Sequence, residues 1–237
     1  SSPVSGAIYS ALLAALWIQG MTGVDVTSGD ATVWIYSVAG QSWSALPNLS
    51  TASQTAGAGF LVYVYQDANF DGDTSDDADL PVTLSVSGTE NSSSATVGSI
   101  ADGNWALIGN PYYSTIDWDD VTQTNVTSTA YVYDNAKSGG AGYISWNGDA
   151  GLLSNGLIAP YQGFWVKGSG GSGSITIETA DQSSSAGTFY KTTNDGTGSM
   201  SFIISSGEDY EDHAFVSFMT NGEAGLDNSD AYKLLPM

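Results

Sequence analysis

The chain has 237 residues, 41% of them hydrophobic, so it can bury a core as one large β domain or two small ones. It carries 25 acidic residues against 4 basic ones, a formal net charge of −21. Nucleic acids require clustered basic side chains and anionic membranes repel acidic surfaces, so we expect neither a nucleic-acid partner nor membrane insertion. The absence of Cys and the single histidine, His213, argue against a cysteine nucleophile or a histidine-based site. We therefore expect no enzyme.

The composition is typical of an extracellular or cell-surface protein. It includes 29 Gly, 11% aromatic residues and only 12% charged residues. No secretory leader is visible before Ser1, so we expect a mature product. Three tripeptides match the acceptor pattern for N-glycosylation. They place candidate glycosylation sites at Asn48, Asn91 and Asn125.

The first predicted element is a short apolar helix over residues 8–19, ending at Gly20. Its apolar residues surround the helix axis, so every side must be covered. It is too short to span a bilayer, which requires about 20 residues. The cover must come from its own domain, from a neighbouring subunit or from both. Leu12, Leu13, Leu16 and Trp17 are therefore candidate assembly contacts.

The rest of the chain is predicted to form short strands and turns. Alternating or β-branched and aromatic runs predict strands at 32–38, 59–65, 82–86, 105–109, 130–133, 163–167, 174–178, 188–192, 200–205 and 213–219. Many short strands separated by Gly-rich or Asn/Asp-rich turns indicate a sandwich or jelly roll. The predicted fold class is therefore all-β.

A weak internal repeat divides the chain into two β modules. Segments 1–5, 33–36 and 58–62 recur as 109–113, 130–133 and 162–166. The predicted modules are 1–100, with the helix, and 101–237, with closing C-terminal strands. A strand at 104–108 precedes the second copy, and nothing in the sequence corresponds to it before the first copy. We therefore expect the first module to lack one strand.

An acidic loop follows the strand predicted at 59–65. Asp67, Asn69, Asp71 and Asp73 place oxygen atoms at alternate positions, and Gly72 permits a sharp turn, as in the first half of a calcium loop. Ala78 stands where a closing Glu would be needed, so Asp76 or another nearby carboxylate would complete the site. The sequence predicts a structural Ca²⁺ site. The alternative is a solvated acidic hairpin tip.

Other residues allow weaker functional interpretations. Asp117, Asp119 and Asp120 fall within one short turn and could supply a glycosidase pair of carboxylates, although a duplicated structural module explains them equally well. His213 is interpreted as an exposed or interface strand residue. Exposed aromatic side chains could stack on sugar rings, although most aromatic residues of a sandwich belong to its core. The candidates are Trp34, Trp43, Tyr112, Tyr113, Trp118, Tyr143, Trp146, Tyr161 and Trp165.

Several segments resemble β-sandwich regions of large Bacteroidota-type secreted surface proteins, which lie just before a C-terminal sorting domain of the type IX secretion route. The most specific is Trp-x-Leu-x-Gly-Asn-Pro-Tyr, residues 105–112. The others are 114–118, 131–134, 158–166 and 230–234. The resemblance implies secretion and a surface location and implies no catalytic activity. No sorting domain follows Met237, which is consistent with processing.

Two functions follow as expectations. The first is a structural protomer that self-assembles with copies of itself into an extracellular fibre or surface layer. Three features motivate it: the apolar helix, the strand missing from the first module and an apolar C-terminal stretch with Tyr232, Leu234 and Leu235. A sheet that lacks a strand has an open edge, and such an edge can pair with a strand donated by a neighbouring copy. The alternative is a carbohydrate-binding or adhesion module of a larger surface protein.

Overall fold

A computed structural model describes residues 1–65, 67, 69–72, 83–135, 137 and 139–190, with the backbone of two further strands at Ser199–Ser205 and Glu211–Ser217. Within this part the only α-helix is α1, Tyr9–Leu12. The strands are β1 Val33–Ser37, β2 Ser42–Ala45, β3 Phe60–Val62, β4 Ala95–Ile100, β5 Trp105–Gly109, β6 Ile116–Asp117, β7 Thr122–Thr124, β8 Ala130–Asp134, β9 Gly142–Trp146, β10 Leu157–Ile158, β11 Gly163–Lys167, β12 Gly173–Ile177, β13 Ser199–Ser205 and β14 Glu211–Ser217. The predicted all-β class is confirmed.

Two sheets of the second half pack face to face. One has the strand order β5-β11-β8-β9 and the other β4-β12-β7. In β12 the side chains alternate as expected for a sheet with one buried face. Ile175 and Ile177 are fully buried, whereas the outward Thr176 hydroxyl lies 2.9 Å from that of Thr96. Both sheets bury their inner faces in one core around Trp118 and Phe164, as in a sandwich.

The first half forms a three-stranded antiparallel sheet with the order β2-β1-β3. Val33 and the partly buried Phe60 and Val62 point to one side of this sheet. They pack there on a second core that contains Leu12, Leu13, Leu16 and Leu49. The opposite, outer face of the sheet is turned away from this core.

Strand β5 also joins the two halves of the molecule. Ala58 forms a bridge with Ile108, and the Gly109 N–H donates to the Gly57 carbonyl over 2.9 Å. A Cβ at Gly59 would lie 2.5 Å from Leu107 Cγ, so this close approach requires glycine. The chain leading into β3 therefore contacts β5 of the same chain. In addition, β4 belongs by sequence to the predicted first module, residues 1–100, but it pairs with β12 of the second half.

The two halves share a pairing register. Trp34 of β1 lies opposite Leu61, and Tyr131 of β8 lies opposite Trp165. On the other side of the central strand, Tyr36 pairs with Trp43 as Tyr133 pairs with Tyr143. The internal repeat stays a prediction, which this correspondence supports.

The helix predicted at 8–19 is wrong in extent, because only Tyr9–Leu12 is helical. The segment instead turns irregularly, and this lets Leu12, Leu13, Leu16 and Ile18 all reach the core of the first half. The residues left exposed are Ile8, at 41%, and the small Ala11, Ala14 and Ala15, whose contact with water costs little. The segment is therefore covered by its own domain.

Some predicted strands are absent and others were missed. Residues 83–86 and 188–190, the described parts of two predicted strands, are not strands. Strands β2, β4, β6, β7, β9 and β10 were not predicted from the sequence. β4 contains Gly and Ser, which are common in turns, and β7 is only three residues long, so both are recognised as strands by their pairing with β12.

Candidate functional site

The outer face of the first sheet carries aromatic side chains. Alternation along β1 and β3 sends Val33, Phe60 and Val62 to the core and turns Trp34 and Leu61 outward as a cross-strand pair. The ladder extends past β3, because the Tyr63 N–H donates to the Thr32 carbonyl over 2.8 Å.

These outward residues line an open cleft of about 390 Å³. We call it the aromatic cleft; its walls are formed by Trp34, Leu61, Tyr63 and Tyr65, with Asp30 at one side. The Trp34 indole N–H donates to the Ala31 carbonyl over 3.0 Å, and this bond fixes the orientation of the ring. A small-molecule site is usually concave and mainly apolar with a few polar groups, and this cleft has that character.

The aromatic surface continues beyond the cleft. Ring centroids lie 5.0 Å apart between Tyr63 and Tyr65 and 5.3 Å apart between Tyr65 and Phe70. Phe70 in turn stacks on Trp17, with centroids 5.0 Å apart and an angle of 18° between the rings. Tyr63 is 61% exposed and Phe70 51% exposed. We call these four residues the aromatic row.

Asp30 is the acidic residue of the aromatic cleft. It is exposed, and its carboxylate makes no hydrogen bond or ion pair with any described residue. The cleft therefore combines aromatic ring faces with an unoccupied hydrogen-bond acceptor. The aromatic rings can stack on the apolar face of a sugar ring, and the Asp30 carboxylate can accept a hydrogen bond from a sugar hydroxyl group.

The acidic loop supports the end of the aromatic row. The Asp67 carboxylate accepts hydrogen bonds from the backbone N–H groups of Phe70 and Gly72. Asn69 donates through its side-chain amide to Asp71 over 3.0 Å. Asp73 and Asp76 lie outside the described residues. Among the residues that are described, no three acidic or histidine side chains form a group that could hold a metal ion. The Ca²⁺ site stays a prediction.

The candidate assembly residues divide into three groups. Leu12, Leu13 and Leu16 are at most 7% exposed and are packed in the core of their own chain, so they are not available to another copy. Trp17 is half-buried and belongs to the aromatic row. The remaining candidates, Tyr232, Leu234 and Leu235, lie outside the described residues.

One candidate glycosylation site is incompatible with the structure. Asn91 is 7% exposed, and its side-chain amide donates to the carbonyls of Ser93 and Pro111, so the folded protein has no room for a glycan there. Asn125 is exposed and donates to the Ser172 carbonyl. Asn48 is half-buried, and its side-chain oxygen accepts from the Ser50 N–H. Glycosylation at Asn48 and Asn125 stays a prediction.

The aspartates proposed as a glycosidase pair make structural contacts. Asp119 accepts hydrogen bonds from the Trp146 indole N–H over 3.0 and 3.2 Å. Asp117 accepts from the Asp119 N–H. Burial raises the pKa of Asp117, and the nearby Asp119 and Asp120 charges add to this shift, although the hydrogen bond from Asp119 opposes it. His213 lies in β14 opposite Ile203.

Of the nine aromatic residues proposed for a sugar platform, four are buried, three are half-buried and two are exposed. Tyr112 and Trp118 are fully buried, and Trp146 and Trp165 are at most 9% exposed. Tyr113 and Tyr161 are exposed, and Trp34, Trp43 and Tyr143 are half-buried. Of the nine candidates only Trp34 lines the aromatic cleft.

The other residues of the aromatic cleft and the aromatic row were not predicted as site residues from the sequence. They are Leu61, Tyr63, Tyr65 and Phe70. The alternation of Leu61, Tyr63 and Tyr65 placed all three on one face of a predicted strand and could have identified them. No local pattern connects Trp17 with Phe70, because the two residues are distant in sequence.

The described part of the chain contains no helix with the length and apolar character required to cross a membrane. No family model, curated protein or solved structure matches the chain. The resemblance to Bacteroidota-type surface proteins therefore stays a prediction.

Proposed function

We propose that this protein is a non-catalytic recognition module of the cell surface that binds a glycan in the aromatic cleft. The observation that carries the proposal is the cleft itself, about 390 Å³ in volume and walled by Trp34, Tyr63 and Tyr65. Sugar rings have an apolar face that packs on aromatic rings and hydroxyl groups that need polar partners. Asp30 supplies such a partner.

The exposure of the aromatic row supports the same proposal. Large aromatic side chains normally gain stability by burial, so neighbouring exposed ones mark a surface that meets another molecule. Tyr63 and Phe70 are more than half exposed, although each has another aromatic ring within about 5 Å. The row extends the cleft along the surface, so one oligosaccharide chain could contact both.

Self-assembly, the other expectation, has lost two of its supports. The leucines of the N-terminal segment are packed in their own core, and the segment before β3 is contacted by β5. The C-terminal stretch with Tyr232, Leu234 and Leu235 is the remaining argument for a homopolymer. A recognition module requires none of these contacts between copies.

The proposal is tested with a glycan array followed by calorimetry on the best ligand. Tyr63→Ala removes an exposed ring of the cleft, and Tyr113→Ala is the matched control, because both tyrosines are 61% exposed. We expect Tyr63→Ala to weaken binding about tenfold, which corresponds to the loss of about 1.4 kcal/mol of stacking. Tyr113→Ala should bind like the wild type. Absence of any glycan signal, or equal loss in both variants, would overturn the proposal.

A further inference from the structure

The charge around the aromatic cleft restricts what it can bind. Residues 1–100 contain no Lys, Arg or His. The acidic residues in the same range are Asp25, Asp30, Asp67, Asp71, Asp73, Asp76, Asp77, Asp79 and Glu90. This half of the chain supplies no positive side chain to offset these carboxylates, and the one charged residue that lines the cleft, Asp30, is acidic. Anionic ligands such as uronic acids or sulfated sugars are repelled from it.

The walls of the cleft favour a cation for a second reason. The face of an aromatic ring carries negative charge density, and a cation within about 6 Å of the ring centre is attracted to it. Trp34, Tyr63 and Tyr65 surround one space, and the Asp30 carboxylate stands beside it without a partner among the described residues. Aromatic rings combined with a carboxylate are suited to holding an organic ammonium group.

We infer that the aromatic cleft binds the ammonium group of an amino sugar, so that the ligand is a glycan with free amines rather than a neutral or anionic one. This inference rests on the proposed function and names its ligand class. Asp30 would pair with the ammonium group, and the rings of Trp34 and Tyr63 would pack against the charge and the sugar face.

The test compares three probes by calorimetry with the full chain. They are a glucosamine tetramer, the N-acetylglucosamine tetramer, which has no free amine, and choline chloride, which has an ammonium group without a sugar. We expect the glucosamine tetramer to bind about fivefold tighter than its acetylated form. The preference should shrink when sodium chloride is raised from about 0.02 M to about 0.5 M, because salt screens exposed charges.

The Asp30→Asn variant tests the role of the carboxylate. We expect it to weaken binding of the glucosamine tetramer by about threefold more than it weakens binding of the acetylated tetramer, because only the ammonium group loses a charge partner. Asp149→Asn is the matched control, since Asp149 is also exposed but lies in the second half of the chain. Equal thermal midpoints of the two variants would show that both are folded.

The outcomes separate this inference from the proposed function. Equal or tighter binding of the acetylated tetramer would overturn the ammonium inference and leave glycan recognition intact. Binding of choline without either tetramer would overturn the amino-sugar ligand, because the cleft would then hold an ammonium group without a sugar. Absence of binding by all three probes would overturn the inference, and the glycan array would then decide the proposed function separately.

Discussion

The Asp67 carboxylate accepts a hydrogen bond from the backbone N–H of Phe70, a residue held in the left-handed region at φ 58°. For a residue with a side chain this conformation costs about 1–3 kcal/mol, so it requires support from the surrounding structure. Asp67 provides that support, and the result is that the Phe70 ring stacks on Trp17. A carboxylate predicted to bind a metal ion thus also positions one end of the aromatic row.

Asp67→Ala should release Phe70 from this conformation. We expect a loss of about 1 kcal/mol in the free energy of unfolding, comparable to the loss of a helix cap. The Trp17 ring should also become more exposed, which shifts its fluorescence to longer wavelength. The Trp17 fluorescence is obtained by subtracting, for each protein, the spectrum of the same protein carrying Trp17→Phe. The proteins compared are the wild type, Asp67→Ala and the control Asp149→Ala. An unchanged Trp17 spectrum in Asp67→Ala would show that Asp67 does not position Phe70.

Calcium binding is tested by thermal unfolding with CaCl₂ and with a chelator. If the acidic loop holds Ca²⁺, the ion binds the folded state and raises the midpoint. At a concentration about 100 times the dissociation constant, this stabilisation is about 2.7 kcal/mol. Asp71→Asn, which removes one predicted ligand charge, should reduce the shift, whereas Asp149→Asn should not. Identical midpoints with calcium and with chelator would exclude the predicted site.

The pH dependence of stability should reflect Asp117 and Asp181. Burial raises the pKa of both carboxyl groups, so the folded protein retains these protons to higher pH than the unfolded chain. The unfolding free energy contributed by these groups is therefore highest at low pH and decreases as pH rises from about 4 through the raised pKa values. Denaturant unfolding from pH 4 to pH 7 measures this slope. Asp117→Asn should flatten it, and a slope equal to that of the wild type would contradict the assignment.

Self-association is tested by analytical ultracentrifugation and negative-stain imaging of the full chain. We expect a monomer, because the apolar N-terminal segment is packed in its own core. Deletion of residues 232–237 should then leave the sedimentation coefficient unchanged. Fibres formed by the full chain and lost on this deletion would instead support the structural protomer.

The sequence predicted the fold class better than the site. Strands β5 and β11 were predicted with their observed boundaries, because a short run of aromatic and branched aliphatic residues between turn residues is a local signal. The helix failed because the pattern was interpreted as apolar on every side, whereas the large side chains of Leu12, Leu13 and Leu16 are buried and the small alanines are left exposed. The sequence could not predict that β5 contacts the chain leading into β3. The two residues that form this bridge, Ala58 and Ile108, are 50 positions apart in the sequence.

The candidate site was harder to predict, because it depends on contacts between distant residues. Trp34, Tyr63 and Tyr65 meet through the register of β1 and β3 and through the extension of that ladder. The aromatic pattern could suggest sugar binding, but it could not separate the buried Tyr112 and Trp118 from the exposed Tyr63. That distinction comes from tertiary packing.

The most direct test of the aromatic cleft is an NMR titration of the ¹⁵N-labelled protein with the glucosamine tetramer, following indole and backbone N–H signals. We predict that the Trp34 indole signal and the backbone signals of Thr32 and Tyr63 shift, while the indole signals of the buried Trp118 and Trp146 do not. Shifts confined to residues outside the cleft, or no shifts with this or any other glycan, would contradict the account.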